Sequence, residues 1–437
     1  MTATQIRPSQ GLHIDRSLPG DKSISHRAVI AASIAEGDSV IENVSDGADV
    51  ASSIRCMRQL GVDITPSGRV TSIKGQGLYG LRRPDLPLNC GNSGTTARLL
   101  AGILAGQKFD SILTGDPSLS RRPMRRIAEP LRQMGASIDL SDHDTLPVRI
   151  SGVPLRAIHY SMNVPSAQVK SCILLAGLYA EGDTCVTEIV PTRDHTERMI
   201  TAIRKNENSG IHNLAIKGGT KLPALNMTIP GDLSSASFLI AAGLLIPNSN
   251  VLLRGVGLNP TRTGFLETLK IMGVDIGIEN SYTGPGEPYG DIHVASRQQV
   301  LTGGRLDGSV IPNIIDEIPI LAVLGTQTEF GLEIRNASEL RHKECDRIEA
   351  IVYNLRQMGA RVTEYDDGFF VHPSELGSGA IKSFGDHRIA MAFTVAALAG
   401  KGTSTLDDTD CVAVSFPDFF DYVKINTSER LHRVPVC

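Results

Sequence analysis

Several short runs in this sequence combine side chains that bind anions or move protons. The first is Asp21-Lys22-Ser23-Ile24-Ser25-His26-Arg27, placed where a helix is expected to begin. The free backbone N–H groups of a helix start favour an anion. Lys22, Ser23 and Arg27 add two cations and a hydroxyl there, with Ser23 and Arg27 one turn apart once the helix has begun. An ordinary capped helix with a solvated basic face is the alternative. Cys90-Gly91-Asn92-Ser93-Gly94-Thr95-Thr96-Ala97-Arg98 is a glycine-rich turn running into an apolar helix, and glycine lets a ligand approach the backbone closely. It lacks the Gly-Lys-Ser/Thr ending of a nucleotide P-loop and the Gly-x-Gly-x-x-Gly of a dinucleotide fold, so neither ATP nor NAD is indicated.

Ser118 to Arg126 carries four arginines, Arg121, Arg122, Arg125 and Arg126, before another helix, a kind of run that is usually solvated. Ser166-Ala167-Gln168-Val169-Lys170-Ser171 is small and polar ahead of the apolar Cys172 to Leu175. Its hydroxyls and amide could hold a polyhydroxylated ring, or only cap a core helix. Asp316-Glu317 precedes an apolar helix and could be only its acidic first turn, which the helix dipole favours. In Arg341-His342-Lys343-Glu344-Cys345-Asp346-Arg347, Lys343 and Arg347 stand one helical turn apart, which also suits a surface helix laced with salt bridges. Gly385-Asp386-His387-Arg388 opens an Ala-rich helix, where an arginine opposes the dipole unless an anion lies nearby.

The elements that must position these residues form a repeat. Ile54 to Ile64 reads as an apolar-periodic helix, a glycine cap at Gly61 and a strand. The pattern returns around Gly135, Gly273 and Gly359, with a weaker copy expected to end at Gly210. The spacing suits a small sheet-and-helix unit used several times, and six would fit the chain. Pro19-Gly20-Asp21-Lys22-Ser23 is echoed by Pro230-Gly231-Asp232-Leu233-Ser234, each opening an Ala-rich helix. The expected domains are therefore 21–230 and 1–20 plus 231–437, with the active site in the cleft between them.

A chain of 437 residues is long enough for two domains. With 41% hydrophobic and 21% charged residues it belongs among globular proteins, and disordered or fibrous classes drop out. No apolar run approaches membrane-span length and the first residues lack a signal-peptide core, so the expected location is cytoplasmic, with no membrane partner. Seven cysteines without a Cys-x-x-Cys pair read as reduced thiols, and no Cys/His cluster has zinc-ligand spacing, so no metal is expected. A net charge of −4 gives no general attraction to nucleic acid.

Taken in order, Pro-Gly-Asp-Lys-Ser-Ile-Ser-His-Arg at 19–27, Gly-Asn-Ser-Gly-Thr-Thr-Ala-Arg at 91–98, Arg-Arg-Pro-Met at 121–124, the 341–347 run and Asp-His-Arg at 386–388 resemble the enolpyruvyl transferases over nearly the whole chain. The resemblance implies a two-domain α/β fold of inside-out barrel type, each domain made of three copies of a sheet-and-helix unit with the helices inside. It implies transfer of the carboxyvinyl group of phosphoenolpyruvate to shikimate 3-phosphate by a monomer without cofactor, with glyphosate as a competitor. Lys22, Ser23, Arg27, Ser166, Ala167, Gln168, Asp316 and Lys343 are then expected at shikimate 3-phosphate. Lys22, Gly94, Arg122, Gln168, Arg347 and Arg388 are expected at phosphoenolpyruvate, and Asp316, Glu344 and Lys22 at the proton transfers.

Some positions depart from the family pattern. Val414 precedes Ser415-Phe416-Pro417 where many relatives have lysine, and Ala167 and Glu339 replace the Ser and Asn of some. A sister branch that uses UDP-N-acetylglucosamine usually has asparagine after the first lysine and a cysteine before Arg-Pro. Here Ser23 follows Lys22, and Asp116 to Pro123 contain no cysteine. A non-catalytic binder of phosphorylated metabolites would leave Asp316 and Glu344 without a task.

Overall fold

The computed structural model describes residues 3–208, 210–296 and 301–425, so Cys437 lies outside it. The chain forms two compact units. The first is Gly20–Ile229 with Pro285–Glu287, and the second runs up to Pro19, over Pro230–Gly284 and from Pro288 onward. The inclusion of 285–287 in the first unit has no signal in the sequence. It is tied there by His195 Nδ1, 2.8 Å from Glu287 Oε1, and by Arg198 Nη1 donating to the Gly286 carbonyl at 3.1 Å.

One sheet pattern recurs, a central strand with a parallel neighbour on one side and an antiparallel neighbour on the other. In the first unit Glu36–Glu42 lies between Asn226–Thr228 and Val70–Gln76, Ser111–Thr114 between Leu88–Asn89 and Val148–Ser151, and Asp183–Glu188 between His159–Ser161 and Ile211–Lys217. In the second, Asn250–Gly257 lies between His13–Ser17 and Tyr289–Ala295, and Leu332–Ile334 between Gly304–Leu306 and Gly368–Val371. Ser404–Leu406 lies between Ala380–Ile381 and Thr4–Ile6, in a sheet of three strands where the others have four. Strands distant in sequence thus close both units, Asn226 pairing with Val40 in the first, and His13 with Asn250 and Thr4 with Leu406 in the second.

The helices follow in chain order. In the first unit they are α1 (Lys22–Ser33), α2 (Ala48–Gln59), α3 (Gly94–Ala105), α4 (Arg125–Gln133), α5 (Ala167–Gly177) and α6 (His195–Met199). The second has α7 (Leu233–Leu245), α8 (Gly264–Ile271), α9 (Ile311–Ile314), α10 (Ile318–Gly325), α11 (Arg347–Gln357), α12 (His387–Ala399) and α13 (Phe419–Tyr422). Helices α3, α7, α10 and α12 are apolar nearly all round and correspondingly buried. They build two separate cores, one per unit. Among the described residues no single helix is long and apolar enough to cross a membrane.

Gly61, Gly135, Gly273 and Gly359 follow α2, α4, α8 and α11 with φ of +90°, +97°, +87° and +86°, the left-handed conformation that a C-terminal cap requires. Gly210 does not fit the expected repeat. It lies in the turn between the paired strands Arg204–Asn208 and Ile211–Lys217, and the helix of that copy is the five-residue α6, which ends at Met199. A positive-φ glycine serves a hairpin turn as readily as a helix end, and so the sequence signal was ambiguous there.

Asp21 and Asp232 both act as N-caps, accepting from Ile24 N–H at 2.8 Å and from Ser234 N–H at 2.8 Å. Helices α3 and α5 touch backbone to backbone at Gly102, where a Cβ would stand 2.3 Å from the Cys172 carbonyl oxygen. A peptide carbonyl inside a helix cannot move aside. Gly102→Ala is therefore expected to lower stability by about 1–3 kcal/mol despite alanine's better helix propensity, a shift that urea unfolding would detect.

Candidate active site

In the first unit, the capped start of α1 aims Lys22 at α2, with Nζ 3.0 Å from Asp49 Oδ2. Arg27, one turn beyond Ser23, is buried. Its Nε donates to Thr196 Oγ1 at 2.8 Å, Nη2 to Ser171 Oγ at 3.0 Å and Nη1 to the Ser23 carbonyl at 3.0 Å. Burial, opposed by Glu197, brings its pKa down to about 10, so the guanidinium stays charged at neutral pH. His26 lies behind them with Nδ1 2.8 Å from Ser53 Oγ. Burial, then the charges of Lys22 and Arg27, hold its pKa well below the ordinary value, so this histidine is neutral. Ser53 continues to Thr96 Oγ1 at 2.8 Å, and Thr96 to Ser93 Oγ, the N-cap of α3, at 2.8 Å. A chain of hydroxyls thus sets the start of α3 against α1 and α2.

Gly94 is the first residue of α3. A Cβ on it would lie 2.8 Å from Arg98 Nη1, so a side chain there would displace that guanidinium, while Arg122 Nη1 at 3.6 Å would be in ordinary contact. Arg122 Nη2 donates to Asn92 Oδ1 at 2.6 Å, and Asn92 Nδ2 to Asp116 Oδ2 at 2.7 Å. Arg122 is therefore drawn out of the otherwise solvent-facing arginine run. Arg98 Nη1 donates to Gln168 Oε1 at 2.6 Å, and Gln168 Nε2 to Thr95 Oγ1 at 2.9 Å. Gly94, Arg122 and Gln168 are brought together by Arg98, which the sequence reading left out of the site although it closes the Gly91–Arg98 run. Its position four residues after Gly94, one helical turn, was the available signal. Ser166 Oγ caps α5 by accepting from Val169 N–H at 3.4 Å, placing Ala167 and Gln168 in the first turn.

In the second unit the reading of Lys343 and Arg347 as one helical turn apart is corrected, and the alternative of a surface helix falls with it. Ser338–His342 is a short 3-10 turn, Lys343 is extended, and α11 begins only at Arg347, capped by Asp346. Arg347 is also only 1% exposed. Its Nε donates to Asp386 Oδ2 at 2.7 Å, Nη2 to Glu344 Oε2 at 2.7 Å and Nη1 to Asp316 Oδ1 at 3.5 Å. Burial alone would lower this guanidinium's pKa, but Asp386, Glu344 and Asp316 together raise it. Arg388 in the first turn of α12 donates from Nη1 to Ser234 Oγ at 2.8 Å and to the Asp316 carbonyl at 3.1 Å, with Nη2 3.6 Å from Asp316 Oδ2. Arg262 adds a third guanidinium, Nη1 3.9 Å from the same oxygen. Sequence reading missed Arg262, which stands in an unremarkable Pro-Thr-Arg-Thr stretch. Asp316 is thus a carboxylate among three arginines, alongside Glu317, whose Oε1 accepts from Ser234 Oγ.

Burial lowers the Lys343 amine below the usual lysine value, against the opposing charges of Asp316 and Glu339. As pH rises this amine loses its proton before an ordinary lysine would. An anionic ligand favours the charged form, so the effect belongs to the free enzyme. We expect kcat/KM for the anionic acceptor to fall on the alkaline limb while kcat falls later, and Lys343→Arg to move that fall to higher pH. A pH–rate profile of both parameters would check this.

Comparison with known proteins agrees with this architecture. The family model for EPSP synthase (3-phosphoshikimate 1-carboxyvinyltransferase) matches residues 6–423. A 3-phosphoshikimate 1-carboxyvinyltransferase of Solibacter usitatus is 48% identical over 98% of this chain and 99% of its own, and one from Bacillus cereus is 45% identical over 96% and 98%. The structure of EPSP synthase from Acinetobacter baumannii superimposes with a TM-score of 0.83 at 41% identity, covering 97% of this chain and 98% of that one. The enolpyruvyl transferase NikO from Streptomyces tendae shares the fold, with a TM-score of 0.77 at 18% identity over 97% of each chain. Repeated sheets around buried helices, with arginines and carboxylates at the helix starts, are the architecture of an enolpyruvyl transferase. Within that class, the chain belongs to the EPSP synthase family, and it is a transferase.

Proposed function

We propose that the two groups of residues jointly carry out the reaction that family membership assigns to this chain. That reaction transfers the enolpyruvyl group of phosphoenolpyruvate to shikimate 3-phosphate, in the shikimate pathway to chorismate and the aromatic amino acids. The observation that carries the residue assignment is the set of fixed cations. Lys22, Arg27, Arg122, Arg347 and Arg388 are each held by protein partners at hydrogen-bond or ion-pair distance, so charge is positioned before substrate arrives. Two substrates with two phosphates and two carboxylates call for such a set.

In this reading Lys22, Ser23, Arg27, Ser166, Ala167, Gln168 and Lys343 hold shikimate 3-phosphate. Lys22, Gly94, Arg122, Gln168, Arg347 and Arg388 hold phosphoenolpyruvate. Asp316 takes the proton of the ring 5-hydroxyl as its oxygen bonds to C2 of phosphoenolpyruvate, and C3 receives a proton from Glu344, with Lys22 the other candidate donor. From the resulting tetrahedral intermediate, loss of a C3 proton and rupture of the C2–O bond to phosphate give the enol ether. No step calls on a cofactor, and cations around the departing phosphate stabilise its charge. In this reading the working form is a monomer in the cytoplasm. Glyphosate, as an anion at the phosphoenolpyruvate side, is read as a competitor that Gly94 leaves room for and that Val414 does not contact through a charge.

Phosphate release measured with phosphoenolpyruvate and each of two acceptors tests the reading. Release with shikimate 3-phosphate and none with UDP-N-acetylglucosamine is expected. The reverse would assign the chain to the sister branch, and release with neither would leave only a binder.

A further inference from the structure

Lys170 has no role in the reaction above, yet it is completely buried with its charge satisfied by two acids. Its Nζ lies 2.7 Å from Glu197 Oε1 and 2.9 Å from Glu188 Oε2, and it donates to the Thr192 carbonyl at 3.4 Å. The residues next to this ion pair give it meaning. Ser171 follows Lys170 on α5 and Thr196 precedes Glu197 on α6. Their hydroxyls are 2.7 Å apart, and they accept Arg27 Nη2 and Nε. An ion pair and a hydroxyl pair therefore stand side by side between α5 and α6, and the hydroxyl pair holds the guanidinium.

Glu197 is the member of the ion pair that follows Thr196 directly on α6. Its Oε1 meets Lys170, while its buried Oε2 accepts no hydrogen bond among the described residues. The charge of Glu197 also acts on Arg27, raising its pKa against the effect of burial. Glu188 differs, because its Oε1 already accepts from the Thr192 N–H at 3.2 Å and from the Thr192 hydroxyl.

We propose that Lys170 is a positioning residue for shikimate 3-phosphate, neutralising Glu197 between α5 and α6 so that Arg27 keeps its seat on Ser171 and Thr196 and its charge for the substrate. This rests on the reading of Arg27 as a contact to that substrate. Without the ammonium, the charge of Glu197 stands uncompensated by Lys170 beside Arg27 and becomes an internal competitor of the substrate anion. Low effective dielectric makes such competition strong.

The test is steady-state kinetics on the full chain. Lys170→Met is expected to raise KM for shikimate 3-phosphate about tenfold or more while kcat at saturation stays within about threefold. Adding Glu197→Gln should bring KM back to within about threefold of wild type, whereas adding Glu188→Gln should not. If Lys170→Met alone does not fold, the two double variants still decide. Equal rescue by either glutamine, or an unchanged KM in a folded Lys170→Met, overturns the proposal and makes the triad purely structural. Arg27→Ala separates the underlying reading: if it leaves KM for shikimate 3-phosphate unchanged, Arg27 is not a contact, whatever Lys170 does.

Discussion

Lys22→Met is expected to lower kcat/KM by about a thousandfold, equivalent to ~4 kcal/mol of transition-state stabilisation. Lys22 is assigned to both substrates and to the proton transfers, so the loss falls on kcat as well as on both KM values. The physical reason is charge. The ammonium is only 14% exposed and lies 3.0 Å from Asp49, itself 7% exposed, so its removal leaves that carboxylate facing the site with no opposing charge from Lys22. A cation that attracts phosphate becomes an anion that repels it. The same uncompensated carboxylate lowers stability, by about 1–3 kcal/mol for a pair so little exposed. Activity and thermal unfolding measured together separate the two effects. Lys22→Arg should recover stability more than rate, because a planar guanidinium cannot deliver the compact charge or the proton of an amine. Near-normal turnover in Lys22→Met would remove this residue from the chemistry.

The second large effect is expected at Glu344. Glutamine has the shape of glutamate and can still accept the bond that Arg347 Nη2 makes at 2.7 Å, so Glu344→Gln should leave α11 and its N-terminal charge network intact. Arg347 also remains anchored through Nε on Asp386 at 2.7 Å. What glutamine cannot do is release a proton. If Glu344 protonates C3 of phosphoenolpyruvate, kcat should fall by about 100- to 10,000-fold with KM for either substrate changed only a few-fold. A loss confined to KM would assign Glu344 to binding through Arg347 and leave proton delivery to Lys22.

Much of the scaffold was legible because its signals are local. A helix that ends in left-handed backbone demands glycine, so Gly61, Gly135, Gly273 and Gly359 mark four copies of one unit, and the caps Asp21 and Asp232 mark where each large unit begins its first buried helix. Gly210 misled because the same φ closes a hairpin. Charge-dense runs drew attention to the stretches around Arg27, Arg122 and Arg347, but sequence could not supply their partners. Arg347 looked solvated because its own run is polar; it is buried because Asp316 and Asp386 reach it from 31 and 39 residues away. Arg98 was left out of the site, and Arg262 escaped notice, for the same reason, since each is defined by what it touches through space: Gln168 for one, Asp316 and Glu317 for the other. Lys170 read as part of a helix cap, and only folding shows it enclosed by Glu188 and Glu197.

Bond formation itself is the most direct test. Phosphoenolpyruvate labelled with carbon-13 at C2 would be mixed with shikimate 3-phosphate and the protein at comparable concentrations, and the carbon spectrum followed through a single turnover. The expected result is conversion of the substrate signal to that of an enol ether, with one phosphate released per turnover and a ketal-type signal appearing transiently when the reaction is quenched. Persistence of the phosphoenolpyruvate signal with both substrates bound, or its conversion to pyruvate without ether formation, would contradict an addition–elimination catalysed by Asp316, Glu344 and Lys22.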